Sequence, residues 1–120
     1  MKKILVIDDD RTVVDLVGEA LEAEDRAIRR AYDGKGALNW LSKEVFDLLI
    51  CDLMMPKAHG FQIIEWVKAN PECRHTRIIL LTAKSYRRDA EKARQIGADL
   101  FVSKPFEVAE LREKVNQLLG

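Results

Sequence analysis

The chain has 120 residues, of which 20 are Lys or Arg and 20 are Asp or Glu, so its formal net charge is zero. That length suits one domain burying roughly two thirds of the surface its unfolded chain would expose. The charge balance excludes the electrostatic footprint of non-specific nucleic-acid or membrane-surface binding. The longest apolar runs are too short for a signal-peptide core or a membrane span, which predicts a soluble, unprocessed, cytoplasmic protein. Cys51 and Cys73, the only cysteines, fit a reducing compartment, and Cys51 sits inside an apolar run as a packing residue.

Strand-like and helix-like segments alternate along the chain, without internal repeat or linker composition. Residues 4–7 form an apolar run after two lysines and predict the first strand. Residues 11–24 carry Val13, Val14, Val17, Ala20 and Leu21 at helical spacing, with Asp10 or Thr12 as cap. A second strand over 27–31 is interrupted by Arg29 and Arg30, charges that suit a sheet edge resisting the addition of another chain. A helix over 34–43 carries Ala37, Leu38 and Leu41 on one side; a strand at 47–51 and a helix over 60–69 follow, the latter stopped by Asn70-Pro71. Residues 78–81 repeat the buried-strand pattern, and a fourth helix over about 86–96 offers mainly Ala90, Ala93 and Ile96 to the core before Gly97 caps it. A fifth strand at 100–102 precedes the clearest amphipathic helix, 107–119, with Val108, Leu111, Val115 and Leu118 on one face. Apolar strands each separated by a helix imply an α/β fold, a five-stranded parallel sheet covered on both faces through right-handed crossovers.

In such a sheet ligands bind beyond the carboxyl ends of the strands. There stand Asp8-Asp9-Asp10, Asp52, Thr82-Ala83 and Ser103-Lys104-Pro105. Asp52 leaves a strand buried on both faces and precedes Pro56, which places it at the start of a loop, held by a rigid scaffold yet open to solvent. If strands one, three, four and five are neighbours, Asp8, Asp9, Asp52, Thr82 and Lys104 converge on one rim. Three clustered carboxylates repel unless a cation joins them. Lys104 supplies one positive charge and a hard divalent metal would supply two, with all-oxygen donors favouring Mg²⁺ and leaving room for phosphate oxygens. Asp52 would then be the nucleophile toward a phosphoryl donor, the metal and Lys104 would offset charge on the equatorial oxygens, and Thr82 would donate a hydroxyl hydrogen bond.

Through Asp8-Asp9, Asp52-Leu53-Met54-Met55-Pro56, Gly60, Thr82-Ala83 and Lys104-Pro105-Phe106, the chain resembles the receiver domain of bacterial two-component response regulators, from Lys2 to about Leu119. The resemblance implies a doubly wound, flavodoxin-like (βα)5 receiver fold with strand order 2-1-3-4-5, residues 1–120 being one domain. It implies Mg²⁺-dependent transfer of a phosphoryl group from the phosphohistidine of a sensor histidine kinase or phosphotransfer protein to Asp52, with Thr82 and Lys104 assisting. Asp8, Asp9, Asp52 and the backbone carbonyl of Met54 are the implied metal ligands. Such a domain catalyses only its own phosphorylation and dephosphorylation. The resemblance also implies a two-state readout: Thr82 is drawn toward the phosphoryl group and Phe101 turns inward, remodelling the surface of the fourth helix, fifth strand and fifth helix. A downstream output domain or target protein, and a phosphorylation-dependent second copy, are the implied partners of that surface; nucleic acid and membrane are not.

Several residues depart from the family's pattern. His59 stands where an acid or amide is common and reads as an exposed loop residue. Leu100 replaces an acid of the dimer interface in one subfamily of transcriptional regulators, which argues against that dimer. Met54 and Lys84, two residues beyond Asp52 and Thr82, offer no general base at neutral pH and predict a long-lived acyl phosphate. Asp10 reads as a cap, Trp40 and Trp66 as packing residues and Met54-Met55 as gap fillers. Arg87-Arg88, Lys92 and Arg94 read as a solvated face or part of a partner surface. A flavin-binding protein would need a hydroxyl- and glycine-rich loop where three aspartates stand, and a phosphohydrolase would carry a second acid or base where Met54 stands. A receiver-like interaction module that is never phosphorylated is the remaining alternative.

Overall fold

The computed structural model of the chain describes residues 1–53, 55, 60–83, 91–92, 94–95 and 97–119. In chain order they form Lys2–Ile7 (β1), Arg11–Leu21 (α1), Arg26–Ala31 (β2), Gly34–Lys43 (α2), Leu48–Asp52 (β3), Gly60–Ala69 (α3), Arg77–Ala83 (β4), Leu100–Lys104 (β5) and a C-terminal helix, Val108–Leu119. A short 3₁₀ turn, Pro71–Cys73, separates α3 from β4, with the Asn70 side chain accepting from the Glu72 amide. All neighbouring strands pair in parallel, in the order β2-β1-β3-β4-β5. This is the doubly wound topology the resemblance implied.

Side chains of a strand alternate between faces, so one continuous apolar run can serve two cores. Ile4, Val6, Leu48, Ile50, Ile79, Leu81 and Val102 pack with Val14, Val17 and Leu21 of α1 and with Leu111 and Val115 of the C-terminal helix. Leu5, Ile7, Leu49, Cys51, Ile78 and Leu80 pack with Ala37 and Leu41 of α2 and Ile63, Ile64 and Val67 of α3. Trp40 and Trp66 lie against this second core, and the Trp40 indole N–H donates to the Arg30 carbonyl at 3.1 Å. Cys51 and Cys73 are buried free thiols. No helix among the described residues is long and apolar enough to cross a membrane.

Asp10 is the cap of α1, its side chain accepting from the Thr12 amide. That helix stops at Leu21, short of the predicted residue 24, with Glu22 in an extended conformation. The acids Glu22, Glu24 and Asp25 crowd the negative end of the helix dipole there, and no apolar residue of the stripe lies beyond Leu21 to repay continuation. β2 is the sheet edge, half-buried except at Ala31, with Arg29 bonded to Glu44 at 3.1 Å and Arg30 to Glu22 at 3.3 Å. Strands extend beyond their predicted apolar cores because Lys2, Lys3, Arg77, Thr82, Ala83, Ser103 and Lys104 enter the ladders.

Of the predicted fourth helix, residues 91–92 and 94–95 are helical. Tyr86, Arg87, Arg88, Ala90, Ala93 and Ile96 lie outside the described residues. Gly97 follows at φ +129°, its amide donating to the Arg94 carbonyl at 3.1 Å. That is the glycine-favouring conformation expected of a helix terminus.

Candidate functional site

The pairing register brings the strand ends together. Ile7 pairs with Cys51, so the next residues, Asp8 and Asp52, leave their strands side by side. Asp52 pairs with Leu81, Thr82 with Ser103, and Ala83 with Lys104. Across β1, β3, β4 and β5 each functional side chain therefore sits within about one residue of the same rim. Carboxylate oxygens of Asp8, Asp9 and Asp52 all lie within 4.8 Å of one another. Lys104 Nζ donates to Asp8 Oδ2 at 2.7 Å and lies 3.7 Å from Asp52 Oδ1. Asp8 Oδ1 accepts from the Asp10 amide at 3.0 Å. Thr82 is buried, Asp9 exposed, and Phe101 half-buried beside Leu80.

Asp52 differs from expectation in one respect. It is the last residue of β3 rather than the first of a loop, and it is only 8% exposed. The cause is backbone continuing past it: the Leu53 amide bonds to the Leu81 carbonyl at 3.0 Å, extending the β3–β4 ladder, and the Gly60 amide bonds to the Leu53 carbonyl at 2.8 Å. A Cβ on Gly60 would stand 2.7 Å from the Leu53 oxygen and 2.9 Å from the Asp52 oxygen. The start of α3 thus closes directly on the backbone that carries Asp52. Only the position of Gly60, one residue into a helix and eight after Asp52, signalled this in the sequence.

Burial, opposed by the Lys104 hydrogen bond and the Asp10 amide, holds the Asp8 carboxyl above its ordinary value. Burial also pulls the Lys104 ammonium down, but the Asp8 hydrogen bond and the charges of Asp52, Asp8 and Asp9 outweigh it and leave it raised. The two directions have different causes: desolvation penalises the charged form of Asp8, whereas the neighbouring carboxylates favour the charged form of Lys104. Three carboxylates against one ammonium form an all-oxygen donor set suited to a hard divalent cation. Met54, His59 and Lys84 lie outside the described residues.

A parallel sheet in the order β2-β1-β3-β4-β5, which switches direction at β1/β3, with an acidic pocket beyond that point and a lysine reaching into it, defines a doubly wound α/β protein whose candidate site lies at the topological switch point. Residues 4–116 match the response regulator receiver domain; the chain belongs to that family, the receivers of two-component signalling. It is 39% identical over 119 residues to the transcriptional regulatory protein CpxR of Escherichia coli, covering 99% of this chain and 50% of that one. It is 29% identical to the polar-differentiation response regulator DivK of Brucella anthropi, covering 99% of this chain and 97% of that one. The chemotaxis response regulator CheY4 of Vibrio cholerae superimposes with a TM-score of 0.90 at 27% identity, over 98% of each chain. The chain spans about half the length of CpxR and of the other first curated relatives it matches.

Proposed function

We propose that residues 1–120 form one cytoplasmic receiver domain that takes a phosphoryl group onto Asp52 from the phosphohistidine of a sensor histidine kinase or a phosphotransfer protein. A carboxylate oxygen of Asp52 attacks phosphorus; the O–P bond forms as the N–P bond breaks, and the bonding pair returns to the imidazole nitrogen, leaving an acyl phosphate. One observation carries the reading: three carboxylates within 4.8 Å of one another, with Lys104 Nζ 2.7 Å from Asp8 and 3.7 Å from Asp52. Asp8, Asp9 and Asp52, with the Met54 carbonyl, would hold Mg²⁺, which when bound supplies positive charge to the phosphoryl oxygens. Lys104 offsets charge on those oxygens from the chain's own side, and the Thr82 hydroxyl donates to the transferred group.

Thr82 and Phe101 form the switch. Adding the phosphoryl group favours a conformation in which Thr82 approaches it and Phe101 turns inward, and the population shift is read on the surface of the fourth helix, β5 and the C-terminal helix. A downstream output domain or target protein, or a second copy of the chain, reads that surface. With neither Met54 nor Lys84 offering a general base, the acyl phosphate is long-lived.

Intact mass after incubation with Mg²⁺ and acetyl phosphate tests this directly. A single phosphoryl adduct on the wild type, absent from Asp52→Asn and from a chelator-treated sample, is the expected result. No adduct on folded, Mg²⁺-loaded protein would replace the switch with an interaction module that is never phosphorylated.

A further inference from the structure

Two cations of the fourth helical stretch stack over aromatic rings on its neighbours. Lys92 Nζ lies 5.4 Å from the ring centroid of Phe61 in α3, and the Arg94 guanidinium carbon lies 5.2 Å from that of Phe101 in β5. Among the described residues the Arg94 side chain is otherwise tied only to Glu91, at 3.6 Å, and both of those side chains are more than half exposed. An exposed pair one helical turn apart contributes little, so the ring is the stronger partner. Phe101 also packs against the core that α2 and α3 cover. The ring is thus held between that core and a cation, and the cation is attracted to it only while its face stays at the surface. A ring that turned inward would leave the guanidinium behind.

We propose that Arg94 is a positioning residue that latches Phe101 in its half-buried resting position and so biases the receiver's two-state equilibrium toward the unphosphorylated state. The proposal rests on the reading of Phe101 as a switch residue. A surface cation–π contact of this geometry shifts such an equilibrium about two- to fivefold. Arginine suits the task better than lysine because its planar, weakly hydrated guanidinium stacks on a ring face.

The test uses the full chain labelled with 4-fluorophenylalanine. It contains four phenylalanines, and the Phe101 fluorine signal is assigned by its loss in Phe101→Leu. Spectra are compared with and without Mg²⁺ and beryllofluoride, a phosphoryl mimic, for wild type, Arg94→Met, Arg94→Lys and Lys92→Met. Arg94→Met keeps the aliphatic stem and removes the charge. The expected result is that, before beryllofluoride is added, its Phe101 signal moves toward the activated position by about a two- to fivefold change in population. Arg94→Lys should lie between Arg94→Met and wild type, and Lys92→Met should match wild type. An unmoved Phe101 signal in Arg94→Met, with beryllofluoride still shifting it, overturns the latch and leaves the switch standing. An equal shift in Lys92→Met also overturns the latch, since general loosening of the helix would then suffice. A wild-type signal that ignores beryllofluoride overturns the switch reading itself.

Discussion

Replacing Gly60 by alanine tests the idea that the start of α3 sets the position of Asp52. The added Cβ would meet the Leu53 carbonyl oxygen at 2.7 Å, the Leu53 Cα at 2.8 Å and the Asp52 carbonyl oxygen at 2.9 Å, where ordinary contact begins near 3.4 Å. All three obstacles are backbone, so no side-chain rotation relieves them, and α3 and the end of β3 must separate by about 0.5–0.7 Å. Overpacking of this kind costs about 1–3 kcal/mol. Weakening the 2.8 Å bond from the Gly60 amide to the Leu53 carbonyl adds about 1 kcal/mol, against which alanine returns about 0.4–1 kcal/mol by restricting the unfolded chain. The net loss is about 2 kcal/mol, read as the change in urea midpoint at unchanged m-value. Moving the proposed nucleophile, Asp52, by about half an ångström should also slow phosphorylation by acetyl phosphate about tenfold. Gly18→Ala is the matched control: its Cβ meets the Arg30 guanidinium at 2.5 Å, the far end of a flexible side chain that can swing away. That variant should stay within about 1 kcal/mol of wild type, helix propensity offsetting a surface ion pair, with unchanged phosphorylation. If Gly60→Ala matched Gly18→Ala in both measurements, the close approach of α3 to the Asp52 backbone would not govern the site.

Asp8→Asn should raise the urea midpoint of metal-free protein at neutral pH. Because the folded Asp8 carboxyl lies above its ordinary value of 3.8, the native state binds more protons than the unfolded state in that window. Its contribution to stability therefore falls as pH rises from below 3.8 through the folded value. On the proposed ligand set, Mg²⁺ should stabilise wild type by about 1.4 kcal/mol at ten times Kd and the same variant should lose that gain; Mg²⁺ stabilising both proteins equally would remove Asp8 from the proposed set. Glu44 has the opposite sign. Hydrogen bonds from Lys3 and Arg29 hold its carboxyl below the ordinary 4.5, so its stabilisation is present above 4.5 and disappears as pH falls through the folded value. Glu44→Gln should cost about 0.5 kcal/mol at pH 7 and nothing once wild-type Glu44 is protonated. A deficit that persisted in acid would assign the loss to packing instead.

The acidic set, the lysine and the hydroxyl were legible because each follows directly on a strand that an apolar run makes visible. Asp8 is the residue after Ile7, and Asp52, Thr82 and Lys104 lie at the ends of β3, β4 and β5. What the pattern understated was strand length, since Arg77, Ser103 and Lys104 belong to ladders on backbone hydrogen bonds that polar side chains do not advertise. For the same reason Asp52 looked like a solvent-open loop residue when it is nearly buried. The end of α1 was overrun because helical spacing continues weakly into a stretch whose acids disfavour a helix C-terminus. The stacking of Arg94 on Phe101 was illegible for a different reason: it joins two segments through side-chain orientation, and a cation on an exposed helix face has the same pattern whether it stacks or not.

Strand alternation also divides the rim into two sets. Val6 and Ile50 face the core beneath α1 and the C-terminal helix, so Asp8 and Asp52, two residues further along, fall on that side. Lys104 follows Val102 to the same side, and its 2.7 Å and 3.7 Å approaches to the two aspartates agree with that parity. Thr82 follows Leu80 to the opposite side, beneath α2 and α3, and Phe101 packs into the same core as Leu80. Charge is therefore concentrated on one face of the sheet while the hydroxyl and the ring share the other. Because the side-chain period of a strand is two, slipping β5 by one residue would carry Lys104 away from the aspartates and Phe101 away from its core in a single step. The register that buries Val102 thus positions both the lysine that answers the carboxylates and the ring on the opposite face, and a separate device for aligning the two is unnecessary.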